Sequence, residues 1–145
     1  MTVRLWRPSP SERSEDNPKL SVVGSNVAAM HLKMITIDCA EPRDLATFWT
    51  AALGTEIASD YEGHFVMLAP WDPSGVALGL QKVPEELAGK NRVHIDLHTE
   101  DRMAEVDRLV GLGAAIVDEQ KVPGLSWTVL ADPAGNVFCV AGEEH

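Results

Sequence analysis

The sequence predicts an α+β protein of two βαβββ modules, which form a cupped, mixed eight-stranded sheet with the helices on its outer face. The first observation is a duplicated order of elements. A strand, an amphipathic helix and three short strands occupy residues 33–83, and the same order returns over 91–141. The second is that each helix starts beside acidic residues and stops at a glycine. Neither module can bury a sheet face alone, so the two pair side by side around a cavity.

In the first module, strand one covers 33–39 and the helix begins at Pro42, because proline is favoured in a first turn. Apolar residues with helical spacing form a stripe that faces the core, and Gly54 is the predicted left-handed stop. Trp49 belongs to this stripe and is assigned to the core. The remaining strands are predicted at about 55–60, 63–69 and 76–83, separated by glycine- and proline-containing turns.

The second module follows a polar linker at 84–90. Strand five is predicted at 92–98 and the second helix at about 100–112, with Gly113 as its stop. Acidic residues in its first turn suit the positive end of the helix dipole. Three strands follow at about 115–121, 125–131 and 136–142, and the turn at 132–136 joins the last two.

Residues 1–29 differ from the rest because they are rich in proline, serine and charge and lack hydrophobic periodicity. They are predicted to be a disordered arm, and the compact domain is predicted to span 30–145. The N-terminus lacks the apolar core of a secretory signal. No apolar run approaches the roughly 20 residues that cross a bilayer, so no membrane contact is expected.

The chain carries a formal net charge of −10, which argues against nucleic-acid binding. Its two cysteines, Cys39 and Cys139, make neither a disulfide framework nor a zinc motif, so a cytoplasmic location is expected. By strand parity Cys39 should face the helix, and the two thiols should not be bonded to each other.

His94, Asp96 and His98 alternate along strand five and therefore share one face, opposite Ile95 and Leu97. One interpretation is a polar cavity floor, in which His94 exchanges protons near neutral pH. A second is a set of satisfied structural hydrogen bonds. A third is a metal ion held on this strand alone.

Other residues add to the candidate pocket. Cys139 is either a nucleophilic thiol or an inert buried one. Trp127 and other hairpin aromatics either form the wall of a site for a planar or apolar ligand, or only stabilise their hairpins. The other aromatics on these hairpins are Tyr61, His64, Phe65 and Trp71.

Three segments resemble the vicinal oxygen chelate superfamily, which contains glyoxalase, bleomycin-resistance and extradiol dioxygenase proteins. They are AEPRDLATFWTAALG, KNRVHIDLHTEDRMAEVDRLVGLGA and WTVLADPAGNVFCV. The resemblance covers residues 30–141 and is closest to the glyoxalase-like domain group. It implies two βαβββ modules and, in metal-dependent members, one metal ligand on the first and last strand of each module.

Transferred to this sequence, the resemblance places those four positions at Met34, Gln81, His94 and Cys139. Only His94 is an ordinary ligand in its ordinary place, because a thioether, a thiol and a neutral amide suit hard divalent ions poorly. The expectation is therefore a site without a metal or other cofactor, with a divalent ion as the alternative.

The expected function is the binding of a small organic molecule in a pocket around His94, as a binding protein or a metal-independent enzyme. His94 is the expected catalytic residue. Two alternatives stay open, a metal-dependent lyase, isomerase or dioxygenase with an atypical ligand set, and a sequestration protein of the bleomycin-resistance kind. A homodimer is expected, and the modules could close a cup within one chain or with a second. The expected ligand-binding residues are Met34, Gln81, Asp96, His98, Trp127 and Cys139.

Overall fold

A computed structural model of the protein describes residues 30–142, so the predicted arm at 1–29 lies outside the described residues. The secondary structure belongs to one compact unit, Leu32–His145. The predicted order of elements is confirmed over the described residues. The elements are β1 (Met34–Cys39), α1 (Pro42–Leu53), β2 (Ile57–Tyr61), β3 (Phe65–Leu68), β4 (Ala77–Lys82), β5 (Ile95–Thr99), α2 (Arg102–Gly111), β6 (Ala115–Val122), β7 (Leu125–Ala131) and β8 (Val137–Gly142).

The ends of the helices follow from local chemistry. Pro42 is the first residue of α1, and Gly54 ends the helix in the left-handed region with φ 65°. The carboxylate of Asp101 accepts a hydrogen bond of 3.0 Å from the backbone N–H of Ala104 and so caps α2. This helix starts about two residues later than predicted, because Asp101 is the extended cap residue and not part of the first turn.

The strands form two four-stranded sheets, in the orders β1-β4-β3-β2 and β5-β8-β7-β6. The pair that contains the first strand of each module, β1–β4 or β5–β8, is parallel, and the other pairs are antiparallel. This confirms the α+β class and the two βαβββ modules. The hydrogen bonding divides the eight strands into two sheets, and within residues 30–142 β1 and β5 are edge strands.

One apolar core joins the sides of the two sheets on which the helices lie. The rings of Trp49 in α1 and Phe138 in β8 meet edge to face at 4.9 Å. The indole N–H of Trp49 donates to the Asp132 carboxylate at 2.9 Å, in the turn between β7 and β8. The Arg108 guanidinium in α2 donates to the carbonyls of Ala51 and Ala52 at 3.0 and 2.7 Å. Trp49 is therefore a core residue, as predicted, and it ties the modules together.

The other side of each sheet carries no helix, and we call these sides the first and second open faces. Because side chains alternate along a strand, the core residues of β1 place Met34, Thr36 and Asp38 on the first open face. The same rule places Asp96, His98 and Cys139 on the second. No helix of the described residues has the length and apolar content needed to span a membrane.

Candidate functional site

The second open face holds most of the predicted site residues. Trp127, Val129 and Cys139 form an apolar cluster that is separate from the main core, with exposed fractions of 7%, 7% and 9%. Cross-strand register places Asp96 beside Cys139, and His98 beside Ala141 next to Trp127. This arrangement puts a polar row along the margin of a hydrophobic patch.

His94 lies one residue before β5, which begins at Ile95 and not at Arg92 as predicted. Its side chain is half-buried, whereas Asp96 and His98 are exposed. Neither imidazole makes a hydrogen bond to another residue in the part of the chain that the structure describes. The imidazole nitrogens therefore take no part in a structural hydrogen-bond network among these residues, which was one interpretation of the sequence. They are free to contact a ligand.

The first open face presents an aromatic surface. At its centre Gly79 has no side chain, and the Phe65 ring lies over it, since a Cβ there would sit 2.7 Å from Phe65 Cζ. The same position would be 3.0 Å from both Met34 Sδ and Thr36 Oγ1. The Tyr61 ring lies 6.2 Å from Phe65. Met34 and Gln81 are thus on this face, whereas His94 and Cys139 belong to the other module.

Both cysteines are free and buried, and burial is the main reason that their pKa values are raised to about 11. The Asp96 carboxylate adds to the effect at Cys139, by its charge and by a hydrogen bond to the thiol. At Cys39 the charge of Asp132 adds to it. Cys39 is on the helix-bearing side of β1, as predicted. A thiol with such a pKa is protonated at neutral pH, so Cys139 contributes apolar surface and not a nucleophile.

The raised thiol pKa values predict how stability depends on alkaline pH. An unfolded thiol loses its proton near pH 9, whereas the folded ones keep theirs to about pH 11. Between these values the folded state binds more protons, so the free energy of unfolding should fall as the pH rises, with no thiol effect below pH 9. Urea denaturation at pH 8 and pH 10.5 would measure this fall. The Cys39→Ala/Cys139→Ala protein is the control, and an equal fall in both proteins would contradict the prediction.

The four family ligand positions do not fit a divalent metal ion. They supply a thioether from Met34, an amide from Gln81, an imidazole from His94 and a protonated thiol from Cys139, and no carboxylate. Among residues 30–142, no group of three or more histidine, cysteine, aspartate or glutamate side chains could hold a metal. His94, Asp96 and His98 therefore do not form a metal centre on their strand.

A large cleft lies elsewhere, beside β1. It has a volume of about 1130 Å³ and runs between β1, the linker from Val83 to Val93 and the beginning of β5 and β8. The half-buried Ile35 and Ile95 supply its apolar wall, with the buried rings of Trp49 and Phe138 behind them. Of the predicted site residues only Gln81 lines it. The sequence indicated a polar linker here, and nothing in it showed that the linker would cover a cavity.

The family model for the glyoxalase-like domain matches residues 34–141, which is most of the chain. The chain belongs to the glyoxalase-like domain family. It is thus a member of the vicinal oxygen chelate superfamily. No curated protein matched the sequence of this glyoxalase-like protein.

Solved structures share the fold of the glyoxalase-like protein. UcmS2 is 25% identical, with a TM-score of 0.61 over 80% of this chain and 100% of that one. TnmS3, an antibiotic-binding protein from Streptomyces sp. CB03234, is 21% identical, with a TM-score of 0.62 over 81% and 99%. The fosfomycin resistance protein FosX from Listeria monocytogenes, solved with Mn(II) and a dihydroxypropylphosphonic acid, is 15% identical, with a TM-score of 0.67 over 80% and 93%.

Proposed function

We propose that this glyoxalase-like protein binds a small organic molecule without a metal ion, and that the second open face is the main wall of its site. The observation that carries the proposal is the combination on that face. Two histidines whose side chains have no hydrogen-bond partners among the described residues, His94 and His98, share that face by strand parity with the buried cluster of Trp127, Val129 and Cys139. Binding sites for small molecules combine an apolar surface with a few polar groups in this way. His94 is the proposed polar contact, and also the acid–base group if the ligand is turned over.

The first open face supplies the opposite wall in this proposal. Tyr61 is 61% exposed and Met34 is 36% exposed, beside the Phe65 ring. Apolar and aromatic surface of this kind marks an interaction site on a soluble domain. We propose a homodimer in which the first open face of one copy covers the second open face of its partner. The ligand would then lie between Phe65 and Gln81 of one wall and His94 and Trp127 of the other.

A binding role is favoured over metal-dependent chemistry by the donor set at the four family positions. TnmS3 shares the fold and is an antibiotic-binding protein, which makes sequestration of a toxic small molecule the second candidate. The net charge of −10 would favour a cationic ligand for such a protein. A metal-dependent lyase, isomerase or dioxygenase is disfavoured, because no carboxylate stands at those positions. The two free thiols suit a cytoplasmic location.

The proposal predicts that the His94→Ala change affects binding far more than folding. A panel of planar aromatic and amphipathic compounds, screened by thermal shift and titrated by calorimetry, should yield a ligand of the wild-type protein. His94→Ala should raise the dissociation constant of that ligand at least tenfold, the equivalent of about 1.4 kcal/mol. The free energy of unfolding should change by no more than about 1–2 kcal/mol, because the side chain borders open space. Sedimentation should show a dimer.

Leu97→Ala is the matched control on the same strand. Leu97 lies on the opposite side of β5 and packs against the main core. Its truncation should cost about 2–3 kcal/mol of stability and leave the affinity of the folded protein nearly unchanged. If His94→Ala is as destabilising as Leu97→Ala, His94 is a structural residue. One equivalent of bound zinc, manganese or iron, lost in His94→Ala, would support the metal-dependent alternative instead.

A further inference from the structure

We infer that the cleft beside β1 is a second binding site, which shares only Thr36, Asp38 and Gln81 with the first open face, and that it takes a basic peptide in an extended conformation. The inference does not depend on the function proposed for the open faces, because of the four proposed ligand contacts there only Gln81 lines this cleft, and the inference makes no use of it.

Among the described strands, β1 has an unpaired hydrogen-bonding edge. The carbonyl of Lys33 accepts from the N–H of Ala77 at 2.8 Å, and the carbonyl of Cys39 accepts from the N–H of Val83 at 3.0 Å. In a strand, alternate residues direct both backbone groups to the same neighbour, so the odd-numbered residues of β1 pair with β4. The N–H and C=O groups of Thr36 and Asp38 therefore point outward. Within residues 30–142 no strand pairs with them.

The cleft follows this edge. Residues of both parities, from Ile35 to Cys39, line it, so the cavity meets β1 edge-on and not at one face. An unpaired edge strand accepts an added strand through main-chain hydrogen bonds. Six residues of β1 extend for about 20 Å, and the cleft of about 1130 Å³ is large enough for a chain of several residues.

The side chains that an added strand would meet differ on its two sides. On the core side the accessible apolar residues are the half-buried Ile35 and Ile95, which pack against the main core. On the other side, and along the linker, the carboxylates of Asp38, Glu85 and Glu86 outnumber the single guanidinium of Arg92. Because side chains of a strand alternate, the structure favours a sequence in which apolar residues alternate with basic ones.

The test uses the full-length protein and a capped seven-residue peptide that alternates valine with lysine, labelled with fluorescein. Fluorescence anisotropy should show saturable binding. The same peptide with N-methyl groups on alternate amides, and one with glutamate in place of lysine, should each bind at least tenfold more weakly. The first removes main-chain donors, and the second reverses the charge.

Two variants separate the edge from the charge. Thr36→Pro removes an outward N–H without touching the β1–β4 ladder, and proline is tolerated at such a position. It should weaken the binding of the valine–lysine peptide at least tenfold, while the circular dichroism spectrum stays that of the native protein. Glu85→Gln/Glu86→Gln alters only the exposed linker and should weaken the binding of that peptide severalfold. The loss of affinity should be larger at low salt, where charges are screened less.

No saturable binding of the valine–lysine peptide would overturn the inference. So would equal binding of its N-methylated form, or binding that neither variant changes. If Thr36→Pro instead shifts the sedimentation of the protein without affecting the peptide, the edge is a contact between copies of this chain, and the inference is wrong.

Discussion

Trp49→Ala should lower the free energy of unfolding by about 3–5 kcal/mol, the largest loss that we expect from a single change. Trp49 is 1% exposed and contacts the rings of Phe48 and Phe138. Its removal would leave a cavity at the point where the two modules share their core. Urea denaturation followed by circular dichroism would measure the loss.

Trp49→Phe is the matched control, because it keeps an aromatic ring and removes only the indole N–H and part of the volume. We expect it to cost about 1–2 kcal/mol. A loss below about 1 kcal/mol for Trp49→Ala would show that the modules are held together by something other than this ring.

Asp132→Ala should cost about 3 kcal/mol, although the residue lies in a turn. The Asp132 side chain is buried and accepts from the backbone N–H groups of Ala134 and Asn136, each at 2.9 Å, and from the indole of Trp49. The alanine variant loses the turn contacts and leaves a buried indole N–H unsatisfied. The measurement is again the urea midpoint and slope.

A double-mutant cycle measures how much of the stability lost in Asp132→Ala comes from the hydrogen bond between Trp49 and Asp132, which joins the modules. In Trp49→Phe/Asp132→Ala there is no indole donor left to be unsatisfied, so the combined loss should be smaller than the sum of the two single losses. Strict additivity would mean that Asp132 stabilises only its own turn. Asp72→Ala is the control for a turn of similar sequence, and it should cost much less.

The fold was predictable because its signals are local. Pro42 and Gly54 set the ends of α1 through backbone chemistry that acts within a few residues. Alternation along β5 correctly placed Asp96 and His98 on the face opposite Ile95 and Leu97, since parity depends only on the strand being regular. The start of β5 was misplaced by three residues, because β-pattern residues continue through a segment that has no partner strand.

The cleft was not predictable, because it depends on contacts between distant segments. Its wall includes Trp49 and Phe138, which are far apart in sequence and meet only after the modules pack together. The lack of hydrogen-bonded pairing between β1 and β5 is also a property of the tertiary structure, because the sequence of neither strand distinguishes an edge strand from a paired one. Whether the His94 imidazole makes structural hydrogen bonds likewise depends on the side chains that surround it in the folded protein.

The two β-turns that precede β4 and β8 show how a duplicated chain diverges. Asp72-Pro73 and Asp132-Pro133 open turns of nearly the same sequence. Asp72 is exposed, and among residues 30–142 its carboxylate accepts hydrogen bonds only from the backbone N–H and the hydroxyl of Ser74. Asp132 has become the acceptor for a tryptophan of the other module. The two halves are therefore not interchangeable. At Asp72 any residue that keeps the turn suffices, whereas at Asp132 the carboxylate serves its own turn and the tryptophan of the other module, so one substitution there affects both halves.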